Sequence, residues 1–326
     1  MKIGKVPENV LKRSILKKTG SKRSEILTEA GVGMDCACVE FGDSVLMLST
    51  DPVTISAEGA AAYAVHTAVN NIATSGAEPV GILVTALLPE ITGEEDIKAL
   101  MKDIDEACKT LKIQIMGGHT EITSAVNRPV ISVTAAGKAL SDGVAKAAAK
   151  PGDDVVISKW IGLEGTSIIA RAKEEELLTK FPPKLLYDSK NYDRFLSVVP
   201  EAATAVKSGV TAMHDVSRGG VFGALWELAE SSGVGLLIDL RKIPVKQETV
   251  EICNFFDINP YELLSGGSML MTTEDGNRLV MDLAEKGIEA AIIGKCTDNN
   301  DRVLINGEMR RFLEPSKTDE LYKVIQ

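Results

Sequence analysis

The sequence has few aromatic residues, few histidines and no long apolar run. Aromatics make up 4% of the 326 residues, and no dense lysine/arginine run is paired with aromatic platforms. The formal charge is 36 − 46 = −10. An acidic chain without a basic stripe is a poor partner for nucleic acid or an anionic membrane surface. A nucleotide substrate is not excluded, because a local site on an acidic protein can be basic or glycine-rich. No stretch reaches the ~18 consecutive apolar residues of a membrane span; the longest, Val80 to Leu88, has the length of a strand. The first residues, MKIGKVPENV, have lysines but no apolar segment or cleavage site, so neither a membrane span nor secretion is expected, and the location reads as cytoplasmic. Five cysteines with no CxxC pair suggest neither a disulfide framework nor a zinc site. Cys36 and Cys38 share one face of a predicted strand and read as buried free thiols. Walker A, GxGxxG and GxSxG patterns are all missing, which removes support for P-loop, Rossmann and hydrolase readings.

What is present is a 44% hydrophobic, 25% charged chain, long enough for two domains of about 150 residues each. Periodicity predicts a helix over 8–18, strands over 37–41 and 45–49 around the Gly42-Asp43 turn, and an alanine-rich helix over 58–75. A strand over 80–88 follows. Thr92 and Glu95 fit a capping box opening a helix to about Leu111. Strands near 113–116 and 129–137 close the first half. The Pro151-Gly-Asp-Asp154 punctuation places a boundary near residue 150, giving domains 1–150 and 151–326. The second half alternates again: helices from Glu164, through 194–207, and over 219–231, 246–256 and 275–286, with strands near 155–158, 210–213, 235–240, 268–273 and 289–295. Mixed strands and helices in both halves argue an α+β architecture.

Four segments place acidic or glycine-rich residues where strands are expected to end. They are Gly31 to Asp35, Ser49 to Thr54, Met116 to Glu121 and Met213 to Gly220. Carboxylates at strand ends suit Mg²⁺, which takes one or two protein carboxylates plus phosphate oxygens; Asp51 equally reads as a turn cap before Pro52. Gly117 and Gly118 let backbone approach a ligand closely, with His119, Thr120 and Glu121 following. Arg218 with the Gly219 and Gly220 amides at a helix start forms an anion site, or else a tightly packed turn. Two of the three histidines, His119 and His214, fall in these segments. The third, His66, reads as structural. Glycine loops at 161–165 and 264–267 are further candidates for lining a cleft.

The order of these motifs resembles the superfamily of aminoimidazole ribonucleotide (AIR) synthase, most closely its hydrogenase-maturation HypE branch, over roughly residues 8–315. MHDVSRGG (213–220) and its continuation to Val245 carry most of the likeness. Gly33-Met-Asp35-Cys-Ala37 resembles a GDDAA-type loop, Ser49-Thr-Asp51 a TTDS loop, Val69-Asn-Asn71 a VND segment and Gly117-Gly-His119-Thr120 a GGDT loop. The resemblance implies a homodimer built through N-terminal strands, with an N-terminal mixed sheet carrying helices and a C-terminal α/β sandwich domain. It implies ATP with Mg²⁺, bound between the N-terminal sheet and the C-terminal domain. Asp35 and Asp51 would hold the metal, and Asp35, Asn71, Gly117, Gly118, Thr120, His214, Asp215, Gly219 and Gly220 would line the nucleotide. His119, Glu121 and Arg218 would be the catalytic candidates.

The chemistry implied is phosphorylation, then dehydration, of an amide or carbamoyl-type oxygen, with a maturation protein as a further partner. Three family aspartates are replaced, by Met34, Asn71 and His119, which thins the charge available to metal; Glu121 is the candidate to compensate. The chain ends at Gln326 without a terminal cysteine, and Cys296 lies in or beside a predicted strand, so the expected acceptor is a separate substrate. Two other readings compete: a nucleotide-binding regulator or scaffold without turnover, and a small-molecule kinase of the thiamine-monophosphate type.

Overall fold

Strands that alternate apolar and polar residues along one buried face, and others that are apolar on both, organise the chain into two separate sheets. The computed structural model describes residues 5–19, 21–55, 59–140, 148–315 and 318–325. The predicted first helix is a single α turn, α1 (Glu8–Val10), which widens to a π turn and then tightens to 3₁₀ by Lys18.

One unit comprises Ser24–Thr28 and Asp35–Val144. Its sheet contains β1 (Ala37–Phe41), β2 (Ser44–Val53), β3 (Glu78–Leu88), β4 (Gln114–Ile122) and β5 (Val130–Leu140), in the order β1-β2-β5-β3-β4. Two helices, α2 (Ala60–Thr74) and α3 (Glu94–Leu111), belong to it. The predicted helix start at Glu58 lies outside the described residues. Val45, Met47, Ile82, Val84, Ile131 and Val133 form the buried face of the sheet, and α2 covers it with Ala64, Ala68, Val69 and Ile72. Alanines let the helix lie close: a Cβ on Gly137 of β5 would come within 2.2 Å of the Ile72 side chain. The capping box forms one residue later than expected. Asp96, not Glu95, accepts from the Gly93 amide at 2.8 Å, and α3 begins at Glu94.

The other unit comprises Met1–Arg23, Glu29–Met34 and Ala145–Gln326. Its strands are β6 (Asp154–Ser158), β7 (Ala212–Val216), β8 (Gly235–Asp239), β9 (Ser268–Thr273), β10 (Ala290–Thr297), β11 (Arg302–Asn306) and β12 (Met309–Phe312). They order as β12-β11-β8-β10-β6-β9-β7. The helices are α4 (Leu163–Ala172), α5 (Glu174–Leu178), α6 (Pro183–Lys190), α7 (Val199–Lys207), α8 (Gly220–Ser232), α9 (Gln247–Phe255) and α10 (Gly276–Ala284). Val155, Ile157, Leu225, Leu228, Leu236, Ile238, Leu270 and Ile293 lie at the centre of the core. Sequence reasoning missed α6, which opens on a proline pair, and the β11–β12 hairpin. It also ran α7 back to Arg194, where the chain makes a separate 3₁₀ turn.

Burial pushes the Cys108 thiol up to about 11 and those of Cys253 and Cys296 to about 12. All five cysteines are free. Among the described residues, no helix is long and apolar enough to cross a membrane.

Candidate functional site

Three of the four predicted loop segments lie wholly or partly within strands. Asp51 sits inside β2, His119 to Glu121 inside β4, and His214 and Asp215 inside β7. In a strand, side chains at even spacing share a face, so strand membership fixes which predicted residues can act together.

In the first unit, Asp51 follows Ser49 at a two-residue step, on the face of β2 that α2 covers. Asn71, on α2 and only 6% exposed, donates from Nδ2 to Ser49 Oγ at 2.9 Å. The Asn71 carbonyl accepts from Cys36 Sγ at 3.1 Å, and Cys36 adjoins Asp35. Asn71 therefore ties the segment carrying Asp35 to the strand carrying Asp51. A family aspartate at this position would add charge; the asparagine adds a hydrogen bond that holds two carboxylate-bearing segments together.

His119 and Glu121 do not join this group within the chain. Register runs in one row from Asp51 to Val133, Val84 and Gly118. Three strand spacings separate its ends, about 14 Å. His119 pairs with the exposed Thr85 and points to the opposite face, away from α2. Its Nε2 lies 3.3 Å from Glu121 Oε2, with side chains 66% and 51% exposed. Glu121 thus does not make up for the missing aspartates beside Asp51. Thr120 and Gly118 share the Asp51 face but stand at the sheet edge.

The glycine pair also has a local cause. Met116 is an extra residue in β4, because pairing skips from Ile82–Ile115 to Leu83–Gly117. The bulge presses the strand inward, and a Cβ on Gly118, at φ +152°, would sit 1.8 Å from the Val84 carbonyl oxygen. The close approach expected toward a ligand is made instead to the neighbouring strand.

In the second unit, His214 is buried in β7 and its Nε2 lies 3.1 Å from Glu227 Oε2 on α8. Glu227 also accepts from Lys5 at 3.0 Å. Burial raises the Glu227 pKa, but His214 and Lys5 outweigh it and hold the carboxyl down at about 2. Arg218 and Gly219 follow β7, and α8 starts at Gly220. A Cβ on Gly220, at φ +61°, would lie 2.5 Å from the Tyr261 carbonyl oxygen, so this glycine serves tight packing. Its amide donates to Ser217 O at 3.1 Å. The Gly219 amide donates to Asp319 Oδ2 at 2.7 Å. Neither amide expected to hold phosphate is open to one in this conformation.

The two minor glycine loops pack against each other. The Gly165 amide donates to Leu264 O at 2.9 Å, and Ser265 Oγ accepts from the Gly162 amide at 2.7 Å. Sequence reasoning missed Glu227 and Asp319 because their partners are 13 and 100 residues away. The one local signal was Asp319 as an N-cap, accepting from the Leu321 amide at 2.9 Å.

A sheet covered by an alanine-rich helix whose asparagine joins two carboxylate-bearing segments, and a second α/β layer with packed glycine turns, define a two-domain α+β protein. Residues 33–139 match the N-terminal domain, and residues 150–306 the C-terminal domain, of AIR synthase related proteins. The chain belongs to the AIR synthase related family. A hydrogenase expression/formation protein of Methanocaldococcus jannaschii is 28% identical over 321 residues, covering 93% of this chain and 91% of that protein. The thiamine-monophosphate kinase of Pyrococcus horikoshii is 30% identical over 229 residues, covering 68% and 70%. Among solved structures, a HypE–HypF complex matches with a TM-score of 0.72 at 25% identity, covering 87% of this chain and 94% of that one. HypE in complex with ATP matches in fold with a TM-score of 0.73 at 20% identity, covering 98% and 97%.

Proposed function

We propose that the chain is an ATP-using enzyme of hydrogenase maturation that activates an amide or carbamoyl-type oxygen on a separate substrate. The supporting observation is the joining of the Asp35 and Asp51 segments through Asn71. Two carboxylates suit one Mg²⁺ that keeps its remaining positions for water and phosphate oxygens. When bound, the ion would offset charge on the phosphates. The full-length likeness to a hydrogenase expression/formation protein supports the pathway.

In this reading the substrate oxygen bonds to the γ-phosphorus as the bond to ADP breaks. In dehydration, that oxygen then leaves with phosphate, the amide nitrogen gives up its two protons, and the carbon–nitrogen bond becomes triple. Arg218 supplies the positive charge nearest the glycine turn. The reading includes a homodimer and a maturation partner of the kind HypE has in its complex with HypF.

Calorimetric titration with ATP, with and without Mg²⁺, alongside phosphate release from a carbamoyl-bearing acceptor, tests the proposal. Mg²⁺-dependent binding with released phosphate is expected. A stable phosphorylated product instead would favour the kinase reading, which the 30% identity to thiamine-monophosphate kinase supports. Binding without turnover would leave a regulator or scaffold.

A further inference from the structure

The Gly219 amide meets a carboxylate from the far end of the chain. Asp319, 5% exposed, accepts through Oδ2 from Gly219 at 2.7 Å and through Oδ1 from Leu264 at 3.1 Å. These amides come from segments more than 40 residues apart, and Arg218 adds favourable charge. Together they make a built oxyanion seat, and a residue of the chain itself fills it.

The segment carrying that carboxylate is held mainly by polar contacts. Glu320 donates its amide to Glu262 O at 3.3 Å and accepts from the Asn259 amide at 3.1 Å. Leu321, 1% exposed, is its one fully buried apolar side chain. Most of the hold is therefore hydrogen bonding from backbone amides to carboxylate oxygens. A phosphoryl group offers the same amides more oxygens and more charge.

We infer that residues Asp319–Lys323 form an autoinhibitory strap: Asp319 holds the anion seat at the start of α8, and a phosphoryl group takes it only when the strap lifts. This rests on the nucleotide-binding reading above and adds the step that gates it. Burial pushes the Asp319 carboxyl up to about 6 despite three amide hydrogen bonds and Arg218.

The experiment compares the full chain with Asp319→Asn and Leu321→Ser. The first turns one acceptor oxygen into a donor facing an amide; the second loosens the anchor without touching the seat. Titration with Mg-ATP and separately with pyrophosphate reads affinity, and hydrogen exchange of residues 318–325 reads lifting. At least tenfold tighter binding in both variants is expected, with tenfold faster exchange in the unaltered chain when it is saturated with Mg-ATP. Equal Mg-ATP affinity in all three chains, with the segment still protected, would overturn the strap and leave the nucleotide reading standing. If no chain binds Mg-ATP, the nucleotide reading fails and pyrophosphate decides the strap. Binding gained in the variants supports it, and no gain overturns it.

Discussion

The two units place their carboxylates in different ways and their glycines in the same way. In the first, Asp35 and Asp51 sit on segments that Asn71 draws together, without a hydrogen bond from Asn71 to either carboxylate. In the second, Glu227 and Asp319 are held by partners within the unit, one by His214 and Lys5, the other by three backbone amides. Glycine does the same thing in both: Gly118 admits a neighbouring strand and Gly220 a neighbouring loop. A glycine pair beside polar residues can therefore mark close packing as readily as a phosphate cradle.

The largest effect expected is at Gly118. An alanine there would place its Cβ 1.8 Å from a carbonyl oxygen that the β3 ladder cannot move. Gly118→Ala should destabilise the first unit by about 3 kcal/mol or more, seen as a lower midpoint in thermal or urea unfolding. An unchanged midpoint would mean that the bulge relaxes and that the glycine is there for a ligand.

Next comes pH, where the two held carboxyls pull in opposite senses. Glu227 is lowered from 4.5 to about 2, so its contribution is present above pH 4.5 and lost as pH falls through 2. Asp319 is raised from 3.8 to about 6, so its contribution is full below 3.8 and lost as pH rises through 6. Each shift corresponds to about 3 kcal/mol at most. Unfolding followed from pH 2 to 8 should show Glu227→Gln flattening the acid limb and Asp319→Asn flattening the limb between pH 4 and 6. The reverse assignment would refute the contrast drawn between the two groups.

Much of this was legible in the sequence. Ser268–Thr273 was read to the residue, because both faces of that strand are apolar or small. The start of α8 was read within one residue from its glycine pair. Strands β4 and β7 were cut short because Gly117-Gly118 and His214-Asp215 look like loop chemistry, whereas β4 continues past a bulge and β7 carries a buried histidine hydrogen-bonded to Glu227. The distant partners of Asp319 were invisible for a different reason: they are set by how the chain returns to the α8 turn, and no local spacing encodes that.

Smaller than the pH effects is the loss expected at Asp51. Asp51→Asn keeps the shape and removes one of two charges available to metal. Mg²⁺-dependent ATP turnover should fall at least tenfold, or about 1.4 kcal/mol of barrier, with unfolding unchanged. Full turnover would remove Asp51 from the metal and leave it a residue of the β2 ladder alone.

The smallest effect expected is at His119, and it sharpens the contrast within the first unit itself. Its side chain is two-thirds exposed and lies 3.3 Å from Glu121, on the face of the sheet opposite Asp51. Exposed pairs of this kind contribute ~0–1 kcal/mol, so His119→Ala should leave stability nearly unchanged. If the centre on the Asp51 face does the chemistry within one chain, ATP turnover should stay within about twofold, since a group about 14 Å away is beyond proton-transfer reach. A hundredfold loss would mean that the exposed face of β4 completes a reacting centre outside its own chain. A second copy would then have to bring its Asp51 face to this His119, and mixing His119→Ala with Asp51→Asn protein should restore part of the turnover that each variant lacks alone.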